Sequence, residues 1–286
     1  RPYFSLGDAA PPAVLDQHNV DHVTWDTHAQ AAPPGMASWL RRQARLVRDD
    51  ERTFLPRFRA IVSVSEADAA LTRALAGDAL VAVAPNAADT ERLRPVSRPA
   101  ERATVLFTGT SARRNVEGLA WFLRECWPRI RHEVPRARLL VAGSLDPARL
   151  PRRLRHETGV TFTGRREDLQ FAFDQADVSV VPVRIGGGTK LKAFESLSAG
   201  LPVVARPEAV DGECCDDLHG VLVRSDAMSY AAAVVSLLAS PDARCELGRR
   251  ARAHAVETHD WATVTRHVES VLESVARAQI AGPKGT

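Results

Sequence analysis

Lysine is nearly absent from this chain: only Lys190, Lys192 and Lys284 occur among 38 basic residues. Codon bias explains the arginines in full. It does not explain why two of the three lysines stand two positions apart beside a run of glycines. Where a chain otherwise writes arginine, a retained lysine marks a place for a compact charge on a flexible stem. Cysteine is scarce too. Cys126, Cys214, Cys215 and Cys245 form no CxxC pair, and no histidine stands at zinc-finger spacing, which argues against a structural metal. The adjacent Cys214 and Cys215 read as reduced thiols, which fits a cytoplasmic setting. No apolar run reaches the length of a membrane span, and no stretch has the pattern of a secretory signal. A large charge of one sign is also missing: the net charge of +3 does not point to a nucleic-acid partner.

What is present is apolar material enough for real cores, 45% of residues, in a chain whose 286 residues suit two α/β domains. From Thr104 onward short β-branched runs alternate with segments of helical period. The expected strands are Thr104–Thr108, Arg138–Ala142, Val160–Thr163, Val178–Val183, Pro202–Ala205 and Val221–Val223. The expected helices between them are Asn115–Val134, Pro147–His156, Asp168–Gln175 and Thr189–Ala199. Buried strands alternating with helices imply a parallel, doubly wound, Rossmann-like domain over residues 98–262. Residues 1–97 are thinner. They offer a strand opening at Val14–Leu15, a helix over Trp39–Phe58, strands at Ile61–Val64 and Val81–Ala84, and a helix over Glu66–Ala76. A doubly wound domain needs more strands than these, and the chain opens at Arg1, not at methionine. The stretch is therefore expected to be part of an amino-terminal domain, with a linker at Asp89–Arg102. Helices follow at Ser229–Leu238, Pro241–Glu257 and Trp261–Ala278; residues 263–286 read as a closing helix and a disordered tail.

The segment richest in chemistry runs from Val178 to Val204. A buried strand leads into Gly186, Gly187 and Gly188, then into a helix whose first turn carries Thr189, Lys190 and Lys192. Bare glycine amides at a helix start make a cradle for an anion such as a pyrophosphate. Lys192 and Glu195 lie three apart and share a helix face, so a cation beside phosphate would stand one turn from a carboxylate beside ribose hydroxyls. The plainer reading is a glycine turn followed by a solvated Lys–Glu pair. Neither the GxxxxGK[ST] nor the GxGxxG spacing is present.

This segment resembles the donor-site motif of retaining family 4 glycosyltransferases of the GT-B fold: strand, Gly-Thr-basic-x-Lys, a Glu three later, then Ala-Gly-x-Pro-Val-Val. Other stretches agree in order. Leu15-Asp-Gln-His-Asn-Val20 looks like an amino-domain strand end bearing a histidine, and Val62-Ser-Val-Ser-Glu-Ala-Asp68 resembles a serine-bearing strand-to-helix turn. Pro85-Asn86, Phe107-Thr-Gly109 with Arg113-Arg-Asn115, Thr161-Phe-Thr-Gly164 with Asp168, and Trp261 complete the likeness. The resemblance implies a GT-B-like pair of Rossmann-like domains, the first incomplete. It further implies transfer of a sugar, with retention, from a nucleoside-diphosphate sugar to a hydroxyl acceptor, without metal or other cofactor. His18, Lys192 and Arg113 would be catalytic. Gly109, Arg114, Gly186, Gly187, Gly188, Thr189, Lys190, Leu191 and Glu195 would hold the nucleotide sugar. The chain departs from the family at Gly187, where a glutamate touching the donor sugar is usual, at Thr110, where an arginine is usual, and at Ala87, where a glycine is usual. The family's glycine-rich first strand–loop has no counterpart here.

Other features carry a plain and a functional reading side by side. His18 is one of nine histidines, and stands either as a structural residue or as a strand-end group facing the sugar or acceptor. Arg113 and Arg114 are a solvated pair or phosphate contacts. Arg149–His156 is a solvated helix face, with peripheral membrane contact as the second reading. Ser65, Glu66 and Asp68 read as a helix cap with an acidic first turn. Two rival functions stay open: a nucleotide-sugar epimerase of the same fold, and a truncated domain that binds nucleotide without turnover.

Overall fold

The apolar, β-branched runs that punctuate the sequence become strands. A computed structural model of the chain describes residues 12–30, 32–95, 102–184, 191–210 and 217–280. The chain divides into two compact units, one of Arg1–Asn86 with Ala262–Thr286, the other of Ala87–Trp261.

The first unit holds strands β1 (Val14–Gln17), β2 (Ala60–Ser63) and β3 (Leu80–Val83), paired in parallel in the order β1-β2-β3. Its helices are α1 (Asp21–Gln30), α2 (Pro34–Phe54), α3 (Glu66–Arg73) and, closing the chain, α10 (Trp261–Ile280), which belongs to this unit from Ala262 on. Leu55, Phe58, Ile61, Leu75 and Ala76 form its small core. Ser65 caps α3 by accepting from the Asp68 amide at 3.1 Å, as its position before Glu66 and Asp68 predicts. α1 has no counterpart in the sequence reading. Its polar residues recur on all sides, and it is held from outside: Glu51 on α2 accepts from the Asp21 amide at 2.9 Å and pairs with the His22 ring. Trp25 packs edge-on against Trp39 with centroids 6.0 Å apart.

The second unit holds a six-stranded, fully parallel sheet in the order β6-β5-β4-β7-β8-β9. The strands are β4 (Thr104–Thr108), β5 (Arg138–Ala142), β6 (Val160–Gly164), β7 (Val178–Val181), β8 (Val203–Ala205) and β9 (Val221–Val223). The helices are α4 (Arg113–Trp121), α5 (Trp127–Glu133), α6 (Gln170–Asp174), α7 (Leu191–Ser198), α8 (Ala227–Ala239) and α9 (Pro241–Thr258). Alternation along β4 and β5 sends Val105, Phe107, Leu139 and Val141 to one face, under Phe122, Trp127 and Tyr230. It sends Leu106, Leu140 and Ala142 to the other, against Phe173 and Leu201. Asp177, fully buried at the amino end of β7, is matched by the Arg102 guanidinium at 3.0 Å and the Thr104 amide at 2.8 Å.

The helix expected over Trp39–Phe58 runs instead over Pro34–Phe54, with a 3₁₀ turn at Leu55–Arg57, and two expectations in the second unit also change. The single helix over Asn115–Val134 is interrupted by a π-helical turn at Phe122–Cys126, just before Pro128, whose ring nitrogen has no proton for the helical ladder. The helix over Pro147–His156 is instead two 3₁₀ turns, Pro147–Arg149 and Arg152–Leu154. Pro151 causes the break: the residue before it, Leu150, is extended at φ −76°, ψ 154°, as a residue preceding proline prefers. The expected disordered tail at Gly282–Thr286 lies outside the described residues.

Candidate functional site

The strand order places a reversal between β4 and β7. The chain runs outward from β4 to β6, returns beside β4 as β7, and runs outward again to β9. Ligands of open parallel sheets bind where such a reversal opens a crevice at the carboxyl ends of two neighbouring strands. Here those ends are Phe107–Thr110 and Pro182–Arg184, and α7 begins above them.

Close backbone packing makes that region possible. A Cβ on Gly118 of α4 would stand 2.8 Å from the Pro182 carbonyl, so only glycine lets α4 cross the end of β7 this closely. Gly143, after β5, has φ +111°, and a side chain there would meet the Gly109 carbonyl at 2.3 Å.

Lys192, in the first turn of α7, reaches across to the end of β4. Its Nζ donates to the Thr108 carbonyl at 2.6 Å and to Asn115 Oδ1 at 2.8 Å, and lies 4.7 Å from the centre of the Phe107 ring. Asn115 is buried and turns its amide toward the Thr110 carbonyl at 3.2 Å. The retained lysine is therefore no solvated surface residue: its ammonium is oriented at the switch point by two oxygens. Ser196, one turn further, bonds the Lys192 carbonyl at 2.8 Å and the Ser179 hydroxyl of β7 at 2.7 Å, which ties α7 to the sheet.

Glu195 follows Lys192 on the same face. Burial pushes its carboxyl above the usual value, and the Lys192 charge opposes that shift. With Leu191 it lines a cavity of about 230 Å³ whose other walls include Ala88, Arg92, Asp168 and Trp261. Asp168 is held there by Arg92 at 3.6 Å and accepts from the Gln170 amide at 3.0 Å.

The remaining candidates fall as follows. Gly109 ends β4 beside Asn115, and its amide donates to the Ala142 carbonyl at 2.9 Å. Arg113 is exposed and pairs with Glu117 one turn along α4 at 2.6 Å; Arg114, next to it, is exposed. Gly186, Gly187, Gly188, Thr189 and Lys190 lie outside the described residues. His18 belongs to the first unit, at the carboxyl end of β1, exposed and 3.3 Å from Asp16. Asn115 is the site residue to which the sequence reading gave no role of its own. The signal was its place directly after Arg113-Arg114, but its partner Lys192 is 77 positions away. Among the described residues no group of three or more His, Cys, Asp or Glu side chains gathers to hold a metal ion. No helix among them is long and apolar enough to cross a membrane.

Residues 102–240 match the family described as glycosyl transferases group 1. No curated protein sequence matches the chain. Several solved structures do. Sucrose-phosphate synthase of Thermosynechococcus elongatus is 22% identical, with a TM-score of 0.71 over 93% of this chain and 68% of that one. HepE of Anabaena, solved with UDP, is 15% identical, with a TM-score of 0.67 over 92% of this chain and 72% of that one. TarM of S. aureus, a mutant solved with UDP, is 13% identical, with a TM-score of 0.64 over 78% of this chain but only 46% of that one. At these identities the likeness shows the fold, which is of the GT-B type, and the small three-stranded sheet fits an incomplete amino-terminal domain of that fold.

Proposed function

We propose that the chain is a retaining glycosyltransferase that moves a sugar from a nucleoside-diphosphate sugar to a hydroxyl acceptor. The observation that carries this reading is the Lys192 ammonium, oriented by Thr108 and Asn115 at the sheet's switch point, with Glu195 one turn along in a cavity. In the proposed reaction the bond from the anomeric carbon to the diphosphate breaks, and its electron pair goes to the phosphate oxygen. The acceptor oxygen bonds to the same face of that carbon, and its proton passes to the departing phosphate. The developing negative charge meets positive charge already in place, Lys192 and the amino end of α7, so no reorganisation is needed as the bond breaks. This also makes the reaction independent of a metal ion. Glu195 accepts from the ribose hydroxyls. The glycine run is assigned to the diphosphate. UDP in the HepE and TarM complexes supports a nucleotide of this kind as the leaving group.

Calorimetry with UDP, GDP and dTDP, followed by donor turnover with the product anomer read by NMR, tests the proposal. Lys192→Ala is expected to reduce turnover by about a hundredfold or more, while a chelator leaves it unchanged. Unaltered turnover in that variant would remove Lys192 from the site. A second reading, nucleotide binding without transfer, is favoured by the small first sheet and predicts affinity for one diphosphate with no product.

A further inference from the structure

The most unbalanced surface of the first unit is α2. Between Pro34 and Arg48 it carries Arg41, Arg42, Arg45 and Arg48 and no acidic residue. Spacings of four, three and four residues align Arg41, Arg45, Arg48 and Arg52 in one stripe along the helix. All are exposed, and none has an ion-pair or hydrogen-bond partner among the described residues. Of the carboxylates that follow Arg48, Asp49 and Asp50 are exposed at the end of the helix, and Glu51 is engaged by α1. Arg41, Arg45 and Arg48 also form one wall of a groove of about 590 Å³ between α1 and α2, which Thr27 and Asp26 complete.

The other margin of the exposed face is apolar. Met36 is 55% exposed, Trp39 53% and Leu46 47%, at positions that follow one another along the helix, with Arg42 between them and the arginine stripe. Ala37, Leu40 and Ala44 supply the buried face, so the exposed apolar residues are not part of the core. A helix with a tryptophan and two long apolar side chains beside a row of unpaired arginines suits a boundary with apolar and anionic layers in contact. Nucleic acid would use the arginines but leave Met36 and Leu46 in water.

We infer that α2 is a membrane-docking helix. It lies in the interface of a bilayer containing acidic phospholipids, with Met36, Trp39 and Leu46 among the upper acyl chains. Arg41, Arg42, Arg45 and Arg48 engage the lipid phosphates. The inference is independent of the donor site, since α2 and Lys192 belong to different units.

Co-sedimentation of the whole chain with vesicles tests it. With roughly one part phosphatidylglycerol to two parts phosphatidylcholine the chain is expected to bind, and with phosphatidylcholine alone to stay in solution. Arg41→Gln with Arg45→Gln and Arg48→Gln should weaken vesicle binding by about a hundredfold and leave the circular dichroism spectrum unchanged. The matched change of Arg149, Arg152 and Arg153, the basic cluster of the second unit, should have no such effect. Brominated lipid should quench tryptophan emission in the parent but much less in Trp39→Phe. Equal binding to neutral vesicles, undiminished binding of the triple variant, loss only in the second-unit variant, or a preference for an oligonucleotide would each overturn the inference.

Discussion

The two sheets of this chain differ in how deeply they are covered. In the six-stranded sheet β7 is buried at every position and helices cover both faces. In the three-stranded sheet only β2 is buried throughout; β1 is half-buried over Val14 and Leu15, and Leu80 of β3 is 47% exposed. A central strand of a parallel sheet draws its stability from cover on both faces. The difference therefore teaches that the second unit holds its own fold, while the first rests on one buried strand and on a helical hairpin stapled by Glu51.

The largest expected effect tests this contrast directly. Calorimetry of the parent should resolve two transitions, the upper one belonging to the second unit. Phe122→Ala, in the aromatic cluster with Trp127 and Tyr230, should lower the upper transition by about 3–5 kcal/mol. Ile61→Ala should act on the lower one by about 2–3 kcal/mol, because its partly exposed neighbours can relax. One merged transition that responds to both changes would erase the distinction between the units.

Glu195→Gln sharpens it, by separating stability from binding within the deeper unit. The carboxyl's folded value lies above its unfolded value near 4.5. Its contribution to stability is therefore greatest below that pH and falls as pH rises through the raised folded value. At neutral pH the glutamine variant should melt higher than the parent. Its affinity for the nucleoside diphosphate should fall about ten- to a hundredfold if the carboxylate accepts from ribose. In the parent, nucleotide affinity should rise with pH through the same window. A variant that binds as well as the parent would separate Glu195 from the nucleotide.

Tyr230→Phe comes next. The buried hydroxyl donates to the Val204 carbonyl at 2.6 Å and accepts from the Val181 amide at 3.1 Å, bridging β7 and β8. Its loss should cost about 1–3 kcal/mol in the upper transition and leave the lower one in place. The smallest effect belongs to the shallow sheet: Leu80→Thr, at its exposed edge, should shift stability by no more than about 0.5 kcal/mol. A larger loss would mean that this edge is covered in solution.

Legibility in the sequence followed the same division. The strands of the second unit were readable because they are short apolar runs, the inner ones covered on both faces, and β4, β5 and β9 begin and end where the pattern places them. α1 was not readable. Asp21, His22, Thr24, Asp26, Thr27 and His28 leave it no apolar stripe, and its anchor, Glu51, stands thirty positions beyond Asp21. Arg149–His156 misled in the opposite direction: its leucines have helical spacing, but Pro151 divides it. At the candidate site, the scarcity of lysine and the glycine run drew attention to Lys192 and Glu195. The burial of Asn115 and its bond to Lys192 depend on the β4–β7 neighbourhood, which local pattern does not encode.

The Ala88 amide donates to the His259 carbonyl at 2.8 Å, Ala88 bridges Asp260 in parallel, and Thr90 bonds the Asp260 carboxylate. The chain thus enters and leaves the second unit at one point, and for the first unit everything from Ala87 to Trp261 is a single closed loop. Bringing α10 back across a flexible loop of that length would cost roughly 4–5 kcal/mol of chain entropy. Once the second unit has folded, its two ends are already side by side and that cost is met. Folding of the middle of the chain therefore lowers the entropic cost of completing the first unit.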